Sequence, residues 1–171
     1  MNVMIGRKEA SFPARDHDHD DCVNNALSRA QARCLEMGIK WTALREQVFR
    51  HVALSHRPVS AYDLIDSLAK KGKRLAPVSI YRILDVLRSA GLVHRLESRN
   101  AFFACMTDHP NEPRTITFVC DECERVTEVE APDAMSAIIK STKAGDFHAR
   151  NTMVEVSGVC SECHDRPGVN A

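Results

Sequence analysis

Two Cys-x-x-Cys knuckles constrain this chain more than any other feature of its sequence. Cys120 and Cys123 form the first, Cys160 and Cys163 form the second, and 36 residues lie between them. Two such knuckles supply four thiolates in the tetrahedral geometry that zinc accepts, and a site filled by protein on all four sides is structural. We therefore predict a structural zinc site on which a small domain depends for its folding.

Other chemistries use the same spacing and were weighed against zinc. A single Cys-x-x-Cys pair is typical of a thioredoxin-like redox centre, but two matched pairs favour a metal. Cys160 to His164 also satisfies the Cys-x-x-Cys-His pattern of c-type haem attachment. That pattern belongs to exported proteins and leaves the first knuckle unexplained. Zinc is the interpretation that uses all four thiols.

The net charge of zero hides an uneven distribution of charged residues. Residues 40–99 carry 12 basic and 5 acidic side chains, whereas residues 100–171 carry 6 and 12. The first stretch can lie against phosphates and the second is repelled by them. With 171 residues and 44% hydrophobic content, the chain has room for two small domains that each bury a modest core.

The basic stretch has the pattern of a winged helix-turn-helix domain. Apolar residues at three- and four-residue steps predict four helices, which begin near Cys22, Thr42, Ser60 and Pro77. The apolar runs LVHRL and AFFAC, separated by the polar turn ESRN, then predict a β-hairpin. In such a domain the last helix reads the major groove of DNA.

Four side chains are the predicted DNA contacts of this domain. An Arg can fork onto guanine, and a Tyr can contact phosphate, sugar or a thymine methyl group. Tyr81 and Arg82 lie on the outer face of the fourth helix, with Ser79 near them, and Tyr62 lies near the start of the third. These residues are therefore the candidate nucleic-acid interface.

The acidic stretch predicts a second, smaller module. ITFVC and RVTEVE read as strands, Pro132 opens a helix, and TMVEVSGVC reads as a further strand, so that each knuckle follows a strand. The predicted fold class is therefore α+β, with a winged helix-turn-helix domain followed by a small α/β domain that contains the four-cysteine zinc site.

A second set of metal-ligating residue types straddles the junction between the two modules. It comprises His94, Cys105, His109 and Glu128. One thiolate with two imidazoles and a carboxylate suits Zn²⁺ better than Fe²⁺ or Mg²⁺, because softer donors favour zinc. A metal bound there would fix the orientation of the DNA-reading module, which is how a ligand biases a two-state protein.

The remaining candidate sites are weaker. Cys22 with His17 and His19 could hold a metal loosely in a polar tail, whereas Cys34 falls in the apolar stripe of the first helix and is expected in the core. No nucleophile with its base and no phosphate-cradling glycine loop is present, so we do not expect an enzyme. The absence of a secretory signal or membrane span, together with seven cysteines, predicts a cytoplasmic protein with reduced thiols.

Taken in order, these motifs resemble the ferric uptake regulator family, and within it the zinc uptake regulator branch. The resemblance runs from Cys22 to Cys163 through WTALREQVF, VSAYDLIDSL, PVSIYRILDVLRSAGLVHRLES, FVCDECERVTEVE and VSGVCSEC. It implies a homodimeric, zinc-dependent transcriptional repressor that binds AT-rich palindromic operators upstream of zinc-uptake genes. It also implies one structural and one regulatory Zn²⁺ per chain, and a C-terminal domain that dimerises.

The resemblance assigns roles residue by residue. It implies that the four knuckle cysteines hold the structural zinc and that Tyr62, Tyr81 and Arg82 contact DNA. It matches His94, Cys105 and Glu128 to three positions of the regulatory site. Cys105 separates this branch from the iron- and peroxide-sensing relatives, which represent the alternative function. Two hypotheses therefore compete with zinc regulation. One is an iron- or peroxide-sensing regulator of the same family, and the other is a zinc-storing or redox-buffering thiol protein without an operator.

The match departs from the family pattern at two positions. The fourth regulatory ligand is a His where this chain has Pro113, so that His109 is taken as its substitute. A His used elsewhere in the family for an additional site corresponds to Asn151, although His148 lies near it.

The predicted organisation has four parts. They are a flexible tail at 1–20, a winged-helix DNA-binding domain at 21–106, a linker at 107–114, and a dimerisation and zinc-binding domain at 115–171.

Overall fold

An N-terminal helical unit precedes a C-terminal unit built on a second sheet. The computed structural model describes residues 12, 19–54, 56–72, 74–105 and 115–165. Helices and strands follow in this order: α1 (His19–Glu36), α2 (Ala43–Ala53), β1 (Val59–Ser60), α3 (Ala61–Lys70), α4 (Pro77–Ser89), β2 (Val93–Leu96), β3 (Ala101–Ala104), β4 (Thr115–Cys120), β5 (Val126–Glu130), α5 (Pro132–Ala144), β6 (Glu155–Gly158) and α6 (Ser161–His164). A single 3-10 turn, Glu97–Arg99, joins β2 to β3 and is called the wing turn below.

Local capping explains where the N-terminal helices begin. The Thr42 side chain accepts a hydrogen bond from the Arg45 amide at 3.3 Å, which satisfies one of the unpaired donors of α2. Ser60 and Asp63 form a complete capping box at the start of α3. Pro77 occupies the first turn of α4, where its missing N–H costs nothing. The predicted starts of α2, α3 and α4 are confirmed, whereas α1 begins at His19, three residues before the predicted Cys22 and within the segment predicted to be a flexible tail.

The N-terminal core lies between these helices and a three-stranded sheet of order β1-β3-β2. Its largest fully buried side chains are Phe49, Leu64, Leu68, Ile80, Leu84 and Leu87. Cys34 is 0% exposed among them, as predicted for a core residue. The predicted hairpin is present as β2 and β3, and the sheet also contains β1, which pairs Val59 with Phe102 and was not predicted.

The C-terminal sheet has the order β5-β4-β6. β4 pairs antiparallel with β5 and parallel with β6, with Cys120 opposite Gly158. The strand predicted to begin at Thr152 is shorter than expected, since β6 starts at Glu155. Glu155 lies opposite Thr117, so Met153 is level with the first residue of β4 and the residues before it have no described neighbouring strand.

The two units meet at the hairpin. Leu96 and Phe103 of the hairpin form one buried cluster with Val119 and Val126 of the C-terminal sheet, each at most 2% exposed. The Val126 amide also donates to the His56 carbonyl at 2.8 Å. The predicted linker at 107–114 lies outside the described residues. No helix in the described part of the chain is both long enough and apolar enough to cross a membrane.

Candidate metal centres and nucleic-acid interface

Parallel pairing of β4 and β6 brings the two knuckles together, because the carboxyl ends of parallel strands meet at one edge of a sheet. Just past these ends, the Asp121 amide donates to the Gly158 carbonyl at 2.8 Å, and the Cys160 amide donates to Cys120 Sγ at 3.4 Å. The chain reversal within each knuckle then folds Cys123 and Cys163 back toward the same point.

The four thiols have the dimensions of a zinc site. Cys120, Cys123, Cys160 and Cys163 are all buried, and their sulfur atoms lie within 4.8 Å of one another. Cys123 Sγ and Cys160 Sγ are 3.8 Å apart. A tetrahedron of sulfurs around zinc at about 2.3 Å has edges of about 3.8 Å, so these residues fit the metal.

Arg125 lies against this cluster and was missed by the sequence analysis. It is 7% exposed, and its Nε donates to Cys123 Sγ at 3.3 Å. Its Nη2 donates to Glu162 at 2.6 Å and approaches Cys160 Sγ at 3.7 Å. Phe12 packs against the cluster, with its ring centroid 5.9 Å from the guanidinium carbon. The sequence signal that could have identified Arg125 is its position, because it is a basic residue two positions after the first knuckle in an otherwise acidic module.

The guanidinium changes the chemistry of the thiol next to it. Burial alone raises the pKa of the Cys123 thiol, but hydrogen bonds from the Arg125 side chain and backbone, and from Cys120 and Cys163, lower the pKa to about 6. Hydrogen bonds to the charged form favour that form. The Cys123 thiolate is therefore stabilised before any metal binds.

A second group of ligands lies at the junction of the two units. His94 Nε2 is 3.2 Å from Glu128 Oε1, and the ligand atoms of His94, Cys105 and Glu128 all lie within 4.8 Å of one another. His94 belongs to β2, Cys105 follows β3, and Glu128 belongs to β5 of the other unit. Hence two ligands come from the N-terminal unit and one from the C-terminal unit.

The local structure holds each of these ligands in place. The Cys105 amide donates to the Leu92 carbonyl at 2.9 Å, which extends the hairpin by one step. The His94 ring packs against the Phe103 ring, with their centroids 5.6 Å apart. The Glu128 side chain is 2% exposed, whereas that of His94 is 39% exposed. The low exposure of its carboxylate makes Glu128 a suitable ligand for a divalent metal, whose positive charge favours a buried negative group.

The junction ligands open onto a cleft of about 860 Å³ between the two units, which His148 and Asn151 also line. Three of the four predicted ligands are thus brought together. The fourth, His109, lies outside the described residues, as does His17 of the proposed tail site. Cys22 is part-buried in α1. Within the described ranges, only the two groups above assemble three or more ligating side chains.

The outer face of α4 carries the predicted DNA contacts. Ile80 and Leu84 are fully buried, which turns the opposite face outward. Tyr81 is 37% exposed and Tyr62 is 67% exposed, while Arg82 is exposed and Ser79 half-buried. Val78, which sequence reasoning missed, is 59% exposed at the start of α4. An exposed apolar side chain there suits a thymine methyl group.

Comparison with known proteins decides the family. The sequence profile of the Ferric uptake regulator family matches residues 36–157. The chain belongs to this family. The zinc uptake regulation protein of Escherichia coli (strain K12) is 32% identical over 139 residues, which cover 80% of each chain.

Solved structures agree with this assignment. A zinc uptake regulator complexed with zinc and DNA is 30% identical, covers 83% of this chain and 95% of its own, and has a TM-score of 0.77. The crystal structure of holo XcZur is 34% identical, covers 82% and 98%, and has a TM-score of 0.75. The predicted fold class, a winged-helix DNA-binding domain followed by a dimerisation domain, is confirmed. So is the prediction that this member of the ferric uptake regulator family is a dimeric regulator and not an enzyme.

Proposed function

We propose that this member of the ferric uptake regulator family is a zinc-responsive repressor of zinc-uptake genes, which binds palindromic operators as a dimer when its regulatory site holds zinc. The observation that carries the proposal is the group of His94, Cys105 and Glu128, which joins a DNA-reading unit to a dimerisation unit. We place its action in the cytoplasm, where the operator is.

The donor chemistry supports zinc at both centres. Four thiolates form a closed site for one structural zinc, and such a site contributes on the order of 10 kcal/mol to folding. The junction site offers one nitrogen, one sulfur and one oxygen, with His109 as the proposed fourth ligand, for one regulatory zinc per chain. Its thiolate disfavours the alternative of an iron- or peroxide-sensing regulator, since softer donors favour zinc.

The placement of the ligands explains how metal loading reaches DNA. His94, Cys105 and Glu128 would hold zinc at the junction, and its positive charge would draw donors of the two units together. His94 and Cys105 then hold the hairpin of the DNA-binding unit against Glu128 of β5. In a dimer this restraint fixes the distance between the two α4 helices, which must match half-sites about 34 Å or a multiple apart.

The DNA contacts proposed for the reader helix divide by role. Arg82 forks onto guanine in the major groove, and Tyr81 contacts a thymine methyl group or the backbone. Tyr62 and Ser79 contact phosphate or sugar, which sets the position of the helix without reading sequence.

Fluorescence anisotropy on an AT-rich palindromic duplex tests the proposal, with protein titrated at several buffered free-zinc levels and fixed salt. We expect affinity to rise with zinc while the protein stays dimeric throughout. Cys105→Ser should abolish the response because it removes the thiolate ligand, whereas Cys22→Ser, a control outside both centres, should keep it. An unchanged response in Cys105→Ser would remove Cys105 from the site, and zinc-independent affinity in the natural protein would contradict the proposed function.

A further inference from the structure

The wing turn is attached to the C-terminal unit by a carboxylate from β6. Glu155 Oε1 accepts a hydrogen bond from the Glu97 amide at 2.6 Å, and Glu155 Oε2 accepts one from the Ser98 amide at 3.1 Å. The two residues lie 57 and 58 positions before Glu155 in the chain. One side chain therefore binds the first two amides of a turn that belongs to the other unit.

These hydrogen bonds belong to the stronger class. The first amides of a helical turn have no acceptor inside that turn, so an outside group must satisfy them. A carboxylate that accepts from two backbone N–H groups forms charge-assisted bonds, which are shorter and stronger than neutral ones. The attachment is thus both specific in geometry and independent of any metal.

A second set of contacts joins the same turn to the C-terminal unit. Arg99 lies 3.2 Å from Asp121 and 3.9 Å from Glu124, which are both in the loop of the first knuckle. Leu96, which directly precedes the turn, belongs to the buried cluster that also contains Phe103. The wing turn therefore faces the C-terminal unit at three kinds of contact: a carboxylate cap, an ion pair and apolar packing.

Glu155 also occupies a particular place in the sheet. It is the first residue of β6, which lies at the edge of the C-terminal sheet, and the next residue, Val156, is 45% exposed. The regulatory ligands lie on β2, β5 and the residue after β3, and Glu155 lines the same cleft, with Glu128 and Glu155 opposite Thr117 on the two strands that flank β4. Two separate attachments define the orientation of one unit relative to another better than a single one, which leaves rotation free.

We propose that Glu155 is a positioning residue for DNA binding, because its carboxylate fastens the wing turn to β6 and so adds to the Arg99 ion pairs and the apolar cluster an attachment through which metal at His94, Cys105 and Glu128 orients the reader helix. This inference rests on the proposed function. Without the cap, the metal-loaded protein samples orientations that do not fit both half-sites. Its apparent affinity for DNA is then reduced in proportion to the fraction of molecules in the orientation that fits.

The test compares Glu155→Gln and Glu155→Ala with Asp133→Asn, which makes the same charge change in the first turn of α5. DNA affinity is measured by anisotropy at saturating zinc, and exchange of the Glu97 and Ser98 amides with deuterium is measured without DNA. We expect about tenfold weaker DNA binding and at least about tenfold faster exchange in both Glu155 variants, with the dimer and both zinc ions retained. Loss of a negative charge alone would strengthen binding to DNA, as the Asp133→Asn control should show.

Three results would overturn parts of this reasoning separately. Unchanged amide exchange in Glu155→Gln would show that the cap does not protect the wing turn. Faster exchange with unchanged DNA affinity would show that the cap exists but does not position the reader helix. If the natural protein itself lacked zinc-dependent DNA binding, the proposed function would fail, and this failure is distinguishable because the exchange measurement requires no DNA.

Discussion

Arg125→Gln should weaken the four-cysteine centre by an amount that follows from its contacts. The substitution removes the 3.3 Å hydrogen bond to Cys123 Sγ from a side chain that is 7% exposed, and the 2.6 Å pair with Glu162. A hydrogen bond to a charged group contributes about 1.5–3 kcal/mol. The Glu162 side chain is 38% exposed, so its pair adds at most about 1 kcal/mol. The expected loss is about 1.5–4 kcal/mol, or roughly 10- to 700-fold in zinc affinity.

The assay is zinc competition against a chromophoric chelator in the Cys105→Ser background, so that only the four-cysteine centre is measured. Arg33→Gln is the matched control, because the part-buried Arg33 pairs with the exposed Glu36 at 3.5 Å in α1, and loss of this pair should cost less than about 1 kcal/mol. Zinc affinity in Arg125→Gln that equals that of the control would refute the role of the guanidinium.

The pH dependence provides a second check on Arg125. Although burial raises the pKa of Cys123, hydrogen bonds from Arg125 and the neighbouring thiols lower the pKa to about 6. At pH 7.5 this thiol is therefore mostly ionised, and few protons are released from it when zinc binds. In Arg125→Gln the pKa moves back toward its usual value, and protons compete more strongly with zinc below pH 8. The ratio of natural to variant zinc affinity should therefore grow as pH falls from about 8.5 to 6.5. A ratio that shrinks over this range would contradict the assignment.

Two further substitutions test the remaining centres. Arg82→Ala should weaken binding to the operator by about 1–3 kcal/mol in anisotropy titrations, since the proposed forked contact to guanine is lost. Arg150→Ala, on an exposed loop, is the control and should have a much smaller effect. Equal losses in the two variants would mean that Arg82 contributes only charge. Cys120→Ser should release the structural zinc and yield a monomeric or unfolded protein by size-exclusion chromatography and circular dichroism; a native-like dimer would defeat the structural assignment.

The sequence predicted those parts of the fold that depend on neighbouring residues. The starts of α2, α3 and α4 were predictable because Thr42, the Ser60–Asp63 box and Pro77 act within one turn. β1 was missed because two residues are too few to show a period, and their pairing with β3 is decided by tertiary contacts. β6 was overestimated since its length depends on where β4 begins, which lies far away in the chain.

The candidate sites divide in the same way. The knuckles were predictable because each pair of thiols is local, and the junction ligands because they straddle the boundary between the two predicted modules and match positions of the family's regulatory site. The cap from Glu155 to the wing turn joins residues more than 50 positions apart, and no pattern in a single sequence signals such a contact. Arg125 was missed for a related reason: its role appears only when both knuckles surround it.

Docking of the wing turn onto the dimerisation unit divides the N-terminal domain into parts with different freedom to evolve. Residues 97–99 contact Glu155, Asp121 and Glu124, so a substitution in this turn must preserve its contacts with the other unit. In the described part of the chain, by contrast, Val78, Tyr81 and Arg82 on the outer face of α4 are exposed. Under the proposed function, substitutions at Val78, Tyr81 and Arg82 should change operator preference while the contacts of the wing turn stay the same.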